Sequence, residues 1–305
     1  MAIPIQVTGG HVRLNNMKTG FIGLGAMGVG MARNLHQQGL LTVVWNRHAN
    51  KAVTLAKELN CLTVAALPDI TAHCDALVLC VSADQDVLEV IAQLQPTLRP
   101  GMLVIDCSTV SATTARKCAA QLASISCEFL DAPVSGGIEG ARLGSLAIMV
   151  GGSTDAFAHA QPILTAMGKT ITHFGTNGCG QAAKATNQIL CAGAIQAAAE
   201  AMAFAEAEGL PLDRLIATLS NGAGSSWYFN NRAVNMMNDS YAGGFKVRLH
   251  EKDLKICRNM AEQHGAHLPL IEMTLIQYRR LIEQGHGEED ISTLFRLKQA
   301  LFNAS

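Results

Sequence analysis

The sequence has no long block of like charge, no C-x-x-C pair and no recognisable leader, and each absence removes a class of function. Charged residues make up 15% of the chain and the formal net charge is −1. No basic field is therefore available to hold nucleic acid or an anionic membrane surface. The nine cysteines stand singly, most of them inside apolar runs such as "ALVLCV". An odd number of dispersed, apolar-flanked cysteines describes reduced, buried thiols in a cytoplasmic protein rather than a disulfide framework or redox motif. His264 and His267 form an H-x-x-H without a third ligand at a recognised offset, so no metal site is expected. The opening stretch "MAIPIQVTGGHVRLNN" lacks the charged and then apolar regions of a signal peptide, and residues 1–16 are read as an N-terminal extension. The alanine-rich run after Lys184 is interrupted by Gln196, Glu200 and Glu206, which makes it too polar for hydrocarbon.

What is present is a large apolar content, 49% of 305 residues, enough for about two domains. From Met17 to about Phe174, strand-like runs ("TGFIGL", "LTVVWN", "DALVLCV", "MLVIDCS", "CEFLDAP", "SLAIMVGG", "TITHFG") alternate with helical segments. That alternation describes βαβ units, hence an α/β, Rossmann-type doubly wound, mostly parallel sheet over residues 17–179. After Gly180 the strand pattern ends. A long helix is expected to reach Gly209, followed by helical runs over Pro211–Asn221, Trp227–Asn238, Leu249–His264, Pro269–Gln284 and Ser292–Leu301. Residues 180–305 thus read as an all-helical domain entered through one long helix.

"FIGLGAMG" places Gly23, Gly25 and Gly28 as G-x-G-x-x-G between a strand and a helix. In that context Gly23 makes the tight turn, Gly25 lets backbone approach a pyrophosphate, and Gly28 lets helix and strand pack. Leu24, Ala26 and Met27 complete this cofactor-binding cradle. The second strand ends in Asn46-Arg47-His48, with Lys51 following, where a carboxylate reading the ribose of NAD would stand. With no acid to repel a 2′-phosphate and an Arg fork to bind one, NADP(H) is the expected cofactor, NAD(H) the possible substitute.

A second motif, "DAPVSGG", follows a strand. Ser135 and the amides of Gly136 and Gly137 are placed to hold a carboxylate, although a plain loop has the same composition. Asp131 is assigned to fixing the turn. In "GCGQAAKATNQ", Lys184, Asn187, Gln188 and Cys191 fall at i, i+3, i+4 and i+7, one face of a helix bound for the interior. Burial and the positive helix end both lower a lysine's proton affinity, which suits proton exchange; a surface lysine on a buried helix is the alternative.

With these motifs in this order, and with "DCSTVSATTA" and "HEKDLKI", the chain resembles the β-hydroxyacid dehydrogenase family from Met17 to the C-terminus. That family includes 3-hydroxyisobutyrate dehydrogenase and tartronate semialdehyde (2-hydroxy-3-oxopropionate) reductase. The resemblance implies an NAD(P)-dependent oxidoreductase that interconverts a small anionic 3-hydroxy acid and its semialdehyde. It implies Lys184 as general acid/base and Asn187 as the residue positioning the substrate. Ser135, Gly136 and Gly137 hold the substrate carboxylate. Ser108 and Thr109 form a turn beside the nicotinamide, joined on the cofactor side by Val81 and Ser82, and Lys252 reaches both cofactor and substrate. Many members read K-x-x-N-N, whereas Gln188 fills the last place here and is expected to shape the substrate pocket. Glyoxylate or succinic semialdehyde reduction is the alternative reaction. An imine reductase, which generally replaces the lysine, and a non-catalytic NADP-binding module are disfavoured by Lys184 and Asn187. A homodimer or homotetramer is expected, because Gln188–Phe204 is apolar over more of its circumference than a small domain covers.

Overall fold

The computed structural model describes residues 17–303; the N-terminal extension lies outside the described residues. The first part runs β1 (Thr19–Ile22), α1 (Gly28–Gln37), β2 (Leu41–Trp45), α2 (Ala49–Leu59), β3 (Leu62–Thr63), β4 (Ala76–Leu79), α3 (Asp84–Leu94) and β5 (Leu103–Asp106). It continues through α4 (Ala112–Ala123), β6 (Glu128–Asp131), β7 (Val134–Ser135), α5 (Gly137–Leu143), β8 (Leu146–Gly151), α6 (Thr154–Met167) and β9 (Gly168–Gly175). The strands form one sheet in the order β3-β2-β1-β4-β5-β6-β8-β7, with β9 against the other edge of β8.

From β3 to β6 every pairing is parallel. The strand order reverses between β1 and β4, which opens a crevice at their C-terminal ends where doubly wound sheets bind ligands. Strands β1, β4 and β5 are buried on both faces, as their continuous apolar runs require. Separate apolar layers cover the two sheet faces, one centred on Phe21, Met31 and Leu35, the other on Ile22, Leu77 and Ile91.

Helix α7 (Cys179–Ala207) then leaves the sheet and crosses the molecule. Its alanine richness favours helix over its whole length. It is long and apolar enough to cross a membrane by length and composition, but half of its most apolar stretch is buried inside the protein. The expectation that its polar interruptions alone would disqualify it is thereby corrected: burial, not composition, describes its place.

Around α7 pack α8 (Leu212–Leu219), α9 (Trp227–Met237), α10 (Val247–Glu262), α11 (Pro269–Glu283) and α12 (Leu294–Phe302). Their core is built on Ile195, Ala199, Met202, Phe229, Leu254, Tyr278 and Phe295. Each lies within two residues of its expected ends. The short β3, a 3₁₀ turn at Leu67–His73 and α5 were not anticipated. Helix α5 contains two glycines in seven residues and has little helical tendency of its own. It is held by tertiary contact: Asn34 Nδ2 donates to the Ala141 carbonyl at 2.6 Å, and α5 backbone lies against Gly30 so closely that an added Cβ would meet Ala141 at 2.8 Å.

Candidate functional site

The crevice is built from loops that the strands end in. At the cradle, Gly23 has φ +98° and a Cβ there would lie 2.2 Å from the Cys80 carbonyl oxygen; at Gly28 it would lie 2.0 Å from that of Gly23. The protein's own backbone therefore demands glycine at both places. At Gly25 a Cβ would meet nothing within 4 Å. Glycine there leaves open space over the start of α1, whose first N–H groups face no side-chain cap. That is the space a pyrophosphate needs, so the residues present fit a dinucleotide. Leu24 is buried while Ala26 is exposed and Met27 half-buried, forming the rim.

Asn46 takes a role beyond that expected of it. Its Oδ1 accepts the Leu24 N–H at 2.8 Å and its Nδ2 donates to the His48 carbonyl at 3.1 Å, so it fastens the glycine loop to the end of β2. Arg47, His48 and Lys51 are exposed beside it. The Arg47 guanidinium pairs with Asp86 at 3.0 Å across the crevice mouth. On the β4 side, Val81 N–H donates to Ser108 Oγ at 2.9 Å, while Ser82 is exposed.

Ser135 ends in β7, paired with β8, and Gly136 and Gly137 follow with φ +133° and +63°, leading into α5. The motif is thus a strand-to-helix junction with two backbone conformations that favour glycine. Asp131 does not fix this turn. Its carboxylate reaches instead to α7, where Oδ1 accepts the Gly178 N–H at 2.8 Å and Oδ2 the Gln181 N–H at 3.0 Å. It satisfies donors that a helix start leaves unpaired.

From that anchored start, Gln181, Lys184 and Gln188 project from one side of α7, and all three are buried. Gln181 grips the turn after β5 with both ends of its amide: Nε2 donates to the Ser108 carbonyl at 2.8 Å, and Oε1 accepts the Val110 N–H at 3.2 Å. Lys252, from α10, donates to the Thr109 carbonyl of the same turn at 2.7 Å and pairs with Asp253 at 3.0 Å. Asp253 in turn accepts from Gln188 Nε2 at 2.6 Å. These contacts close a ring around Lys184.

Lys184 itself is 7% exposed, and its ammonium has no hydrogen bond or ion pair among the described residues. Burial lowers its proton affinity below the ordinary lysine value, Asp253 partly opposes this, and Lys252 adds to it. Behind the ring His250 is fully buried, with Nδ1 3.0 Å from the Tyr278 hydroxyl, and burial brings its pKa down to about 4. It is neutral near pH 7.

Three residues with parts in this site were not expected. Gln181 stands one turn before Lys184, so helical spacing pointed to it. Asp253 adjoins Lys252 in "EKDL", but its partner on α7 is 65 residues away in sequence. Asp106 ends β5 beneath the Ser108 turn. His264 and His267 are exposed after α10, and no cluster of metal-binding side chains occurs among the described residues.

Comparison with known proteins finds relatives over nearly the whole chain. The family model for the NAD binding domain of 6-phosphogluconate dehydrogenase matches residues 18–175. The model for the NAD-binding region of NADP-dependent 3-hydroxyisobutyrate dehydrogenase matches residues 178–298. The chain is 35% identical over 287 residues to the NAD-dependent L-serine dehydrogenase of Pseudomonas aeruginosa, covering 91% of this chain and 96% of that one. It is 33% identical over 294 residues to the 2-hydroxy-3-oxopropionate reductase of Escherichia coli, covering 94% and 99%. Among solved structures it is similar to the 3-hydroxyisobutyrate dehydrogenase of Mycobacterium tuberculosis with L-serine, at TM-score 0.85 and 30% identity, covering 92% of this chain and 98% of that one.

The buried Asp106 gives the site a measurable pH dependence. Its Oδ1 accepts the Ser108 N–H at 3.0 Å, while Oδ2 has no partner among the described residues. Burial pushes its carboxyl up to about 7, and the charges of Asp131 and Asp84 push the same way. An unfolded Asp titrates near about 3.9, so between those values the folded chain holds the extra proton. Stability should therefore fall as pH rises through that window, by at most about 1.4 kcal/mol per pH unit from this group. Asp106→Asn cannot ionise and should make the decline shallower. Melting temperatures of both proteins from about pH 5 to about pH 8 check this, and equal slopes would remove Asp106 as the source.

Proposed function

The chain belongs to the β-hydroxyacid dehydrogenase family of NAD(P)-dependent oxidoreductases, and we propose that it interconverts a small 3-hydroxy acid and its semialdehyde with Lys184 as general acid and base. The observation that carries this reading is a lysine only 7% exposed whose ammonium has no hydrogen bond or ion pair among the described residues, set between Gln181 and Gln188, whose amides are bonded at both ends. A structural lysine at a helix of this kind extends its amine to water or to an acid. Lys184 pairs with no acid among the described residues and is only 7% exposed, which leaves its proton for a substrate oxygen.

When bound, the nicotinamide supplies or accepts the hydride. The chain's part is orientation and proton transfer. Gly23, Gly25, Gly28 and the first turn of α1 hold the pyrophosphate, and the Ser108–Thr109 turn, fixed by Gln181 and Lys252, bounds the nicotinamide. Ser135, Gly136 and Gly137 receive the substrate carboxylate, assisted by the positive charge of Lys252, while Asn187 positions the substrate. In reduction Lys184 gives its proton to the carbonyl oxygen as that oxygen gains charge. In oxidation neutral Lys184 removes the hydroxyl proton, and a lowered proton affinity makes that form available.

The preference for NADP(H) is part of this proposal, supported by exposed Arg47 at the end of β2 and by Asn46 in place of an acid. Asp86 now pairs with Arg47, and a 2′-phosphate would compete for the same guanidinium. The proposed location is cytoplasmic, supported by nine unpaired cysteines.

A homo-oligomer is also proposed, from α7's outer stripe. Thr186, Leu190, Ala197, Ala201 and Phe204 are all exposed on one side of it, Leu190 at 68% and Phe204 at 54%. The stripe runs through two grooves of about 570 and 530 Å³, the first also lined by Leu270 and Phe302 with Gln196 and Glu200, the second by Met149 and Phe174 with Asn187. A second copy is the simplest cover for a row of exposed apolar side chains of this kind.

Three outcomes are expected. Lys184→Ala should lower turnover by about 10²–10⁴-fold with nucleotide affinity nearly unchanged, and Lys184→Arg should not restore it, because a guanidinium keeps its proton. Oxidation by the unaltered enzyme should rise with pH along a limb lying below the ordinary lysine value of about 10.4. Turnover, cofactor titration and melting on one preparation separate catalysis from folding; a folded Lys184→Ala enzyme at full turnover would end this reading. Second, Arg47→Ala should raise the KM for NADPH about tenfold or more and that for NADH far less, the worth of a charge-assisted contact. Steady-state kinetics with each cofactor check it, and equal changes would count against the assignment. Third, sedimentation should show a dimer or tetramer at micromolar concentration; a single 32.3 kDa species would refute it.

A further inference from the structure

Three basic side chains follow the end of β2, Arg47, His48 and Lys51, and among the described residues a single acid, Asp86, pairs with any of them. That acid comes from another element. Asp86 lies in the first turn of α3, which follows β4, and β2 and β4 are the two neighbours of β1 in the sheet. The Arg47–Asp86 contact of 3.0 Å therefore crosses the crevice mouth at the end of the strand that leads into the glycine cradle. The other acid of the same turn, Asp84, is committed elsewhere: its Oδ1 accepts the Ser111 N–H at 2.9 Å and the Thr114 hydroxyl at 2.6 Å. The Asp86 carboxylate has one hydrogen bond among the described residues, and it comes from Arg47. The two partners differ in freedom, since the Arg47 side chain is 70% exposed and that of Asp86 only 23%. The acid is the fixed half of the pair and the guanidinium the movable one.

We propose that Asp86 is a specificity-determining residue that works against NADP(H): it occupies Arg47 with a carboxylate that a 2′-phosphate has to displace, and NAD(H) binds without that exchange. This rests on the reading that Arg47 receives the 2′-phosphate. A guanidinium presents its donor fork to one oxyanion at a time, so phosphate and carboxylate compete for the same N–H groups. The phosphate brings the larger charge and wins the exchange. Asp86, carried on α3, then loses its partner and keeps a like charge near the incoming group. An exposed ion pair is worth little, so the exchange costs a bias of a few fold and does not block binding. The neutral 2′-hydroxyl of NAD(H) makes no claim on the guanidinium and leaves the pair closed. Specificity is a difference of two affinities, and an opposing group shapes it as an attracting one does. Arg47 thus favours one nucleotide while Asp86 moderates that preference, and both nucleotides stay within the enzyme's reach.

The test is equilibrium binding without substrate, read from the nicotinamide fluorescence of NADPH and NADH and from competition by 2′-phospho-AMP and AMP. Asp86→Asn keeps the size of the side chain and removes its charge. NADPH and 2′-phospho-AMP should bind this variant about threefold or more tighter than the unaltered protein, and NADH and AMP within about twofold of it. In an Arg47→Ala background the same substitution should lose most of that gain, because Asp86 acts through the guanidinium. A change confined to folding would move phosphorylated and unphosphorylated nucleotides together, and the melting temperature of each variant reports it directly. Unchanged or weaker NADPH binding by folded Asp86→Asn overturns the inference alone, as does an equal gain for NADH. NADPH binding left intact by Arg47→Ala overturns the reading of Arg47 as the phosphate ligand, and this inference with it.

Discussion

The carboxylate of Asp131 is the joint on which the crevice depends. It sits at the end of β6, fully buried, and takes the N–H groups of Gly178 and Gln181 at the start of α7. Two glycines make this approach possible: a Cβ on Gly151 would lie 2.7 Å from the carboxylate, and one on Gly180 would lie 2.5 Å from the Asp131 carbonyl oxygen. Burial raises the carboxyl's proton affinity, and the helix N–H groups oppose that rise. A helix pinned at its first turn has its later residues placed by pitch alone. Gln181, Lys184 and Gln188 therefore inherit their positions from an aspartate in the other domain.

Helix α7 is inverted over its first half. Amides and a lysine face inward, while Thr186 and Leu190 face out. In a helix packed only for stability the opposite arrangement is the stable one. The inversion follows from what the buried side must do: Gln181 holds one backbone turn by two bonds, Gln188 holds Asp253, and Lys184 between them is left free. Each amide is used at both ends, so the cost of burying it is offset by the groups it satisfies. Lys184 has no such partner among the described residues, and burial lowers its proton affinity while Asp253 partly opposes that.

The two domains are joined at the turn after β5. Lys252 of α10 reaches the Thr109 carbonyl of the sheet domain, 143 residues earlier, and Gln181 reaches Ser108, 73 residues earlier. The turn after β5 is thus held from below by Asp106, from one side by α7 and from the other by α10. Any motion of the helical domain against the sheet would have to break hydrogen bonds at this turn, beside the place assigned to the nicotinamide.

Local chemistry made much of this legible in the sequence. Gly23 and Gly28 announced a turn that no other residue can make, and strand and helix periods gave the α/β order and the helical second half. Lys184 was visible as a cation on a face that spacing turned inward. Those features depend on residues a few places apart, whose relation the backbone period sets. The rest depended on partners that only folding brings together. Whether α7 lies in lipid or in protein was decided by burial rather than by its apolar composition. Helix α5 forms because α1 and Asn34 receive it, not because "GIEGARL" favours a helix. Gln188 looked like part of a substrate pocket, and only the tertiary structure placed Asp253 against its amide, because a hydrogen bond across 65 residues leaves no period in the sequence.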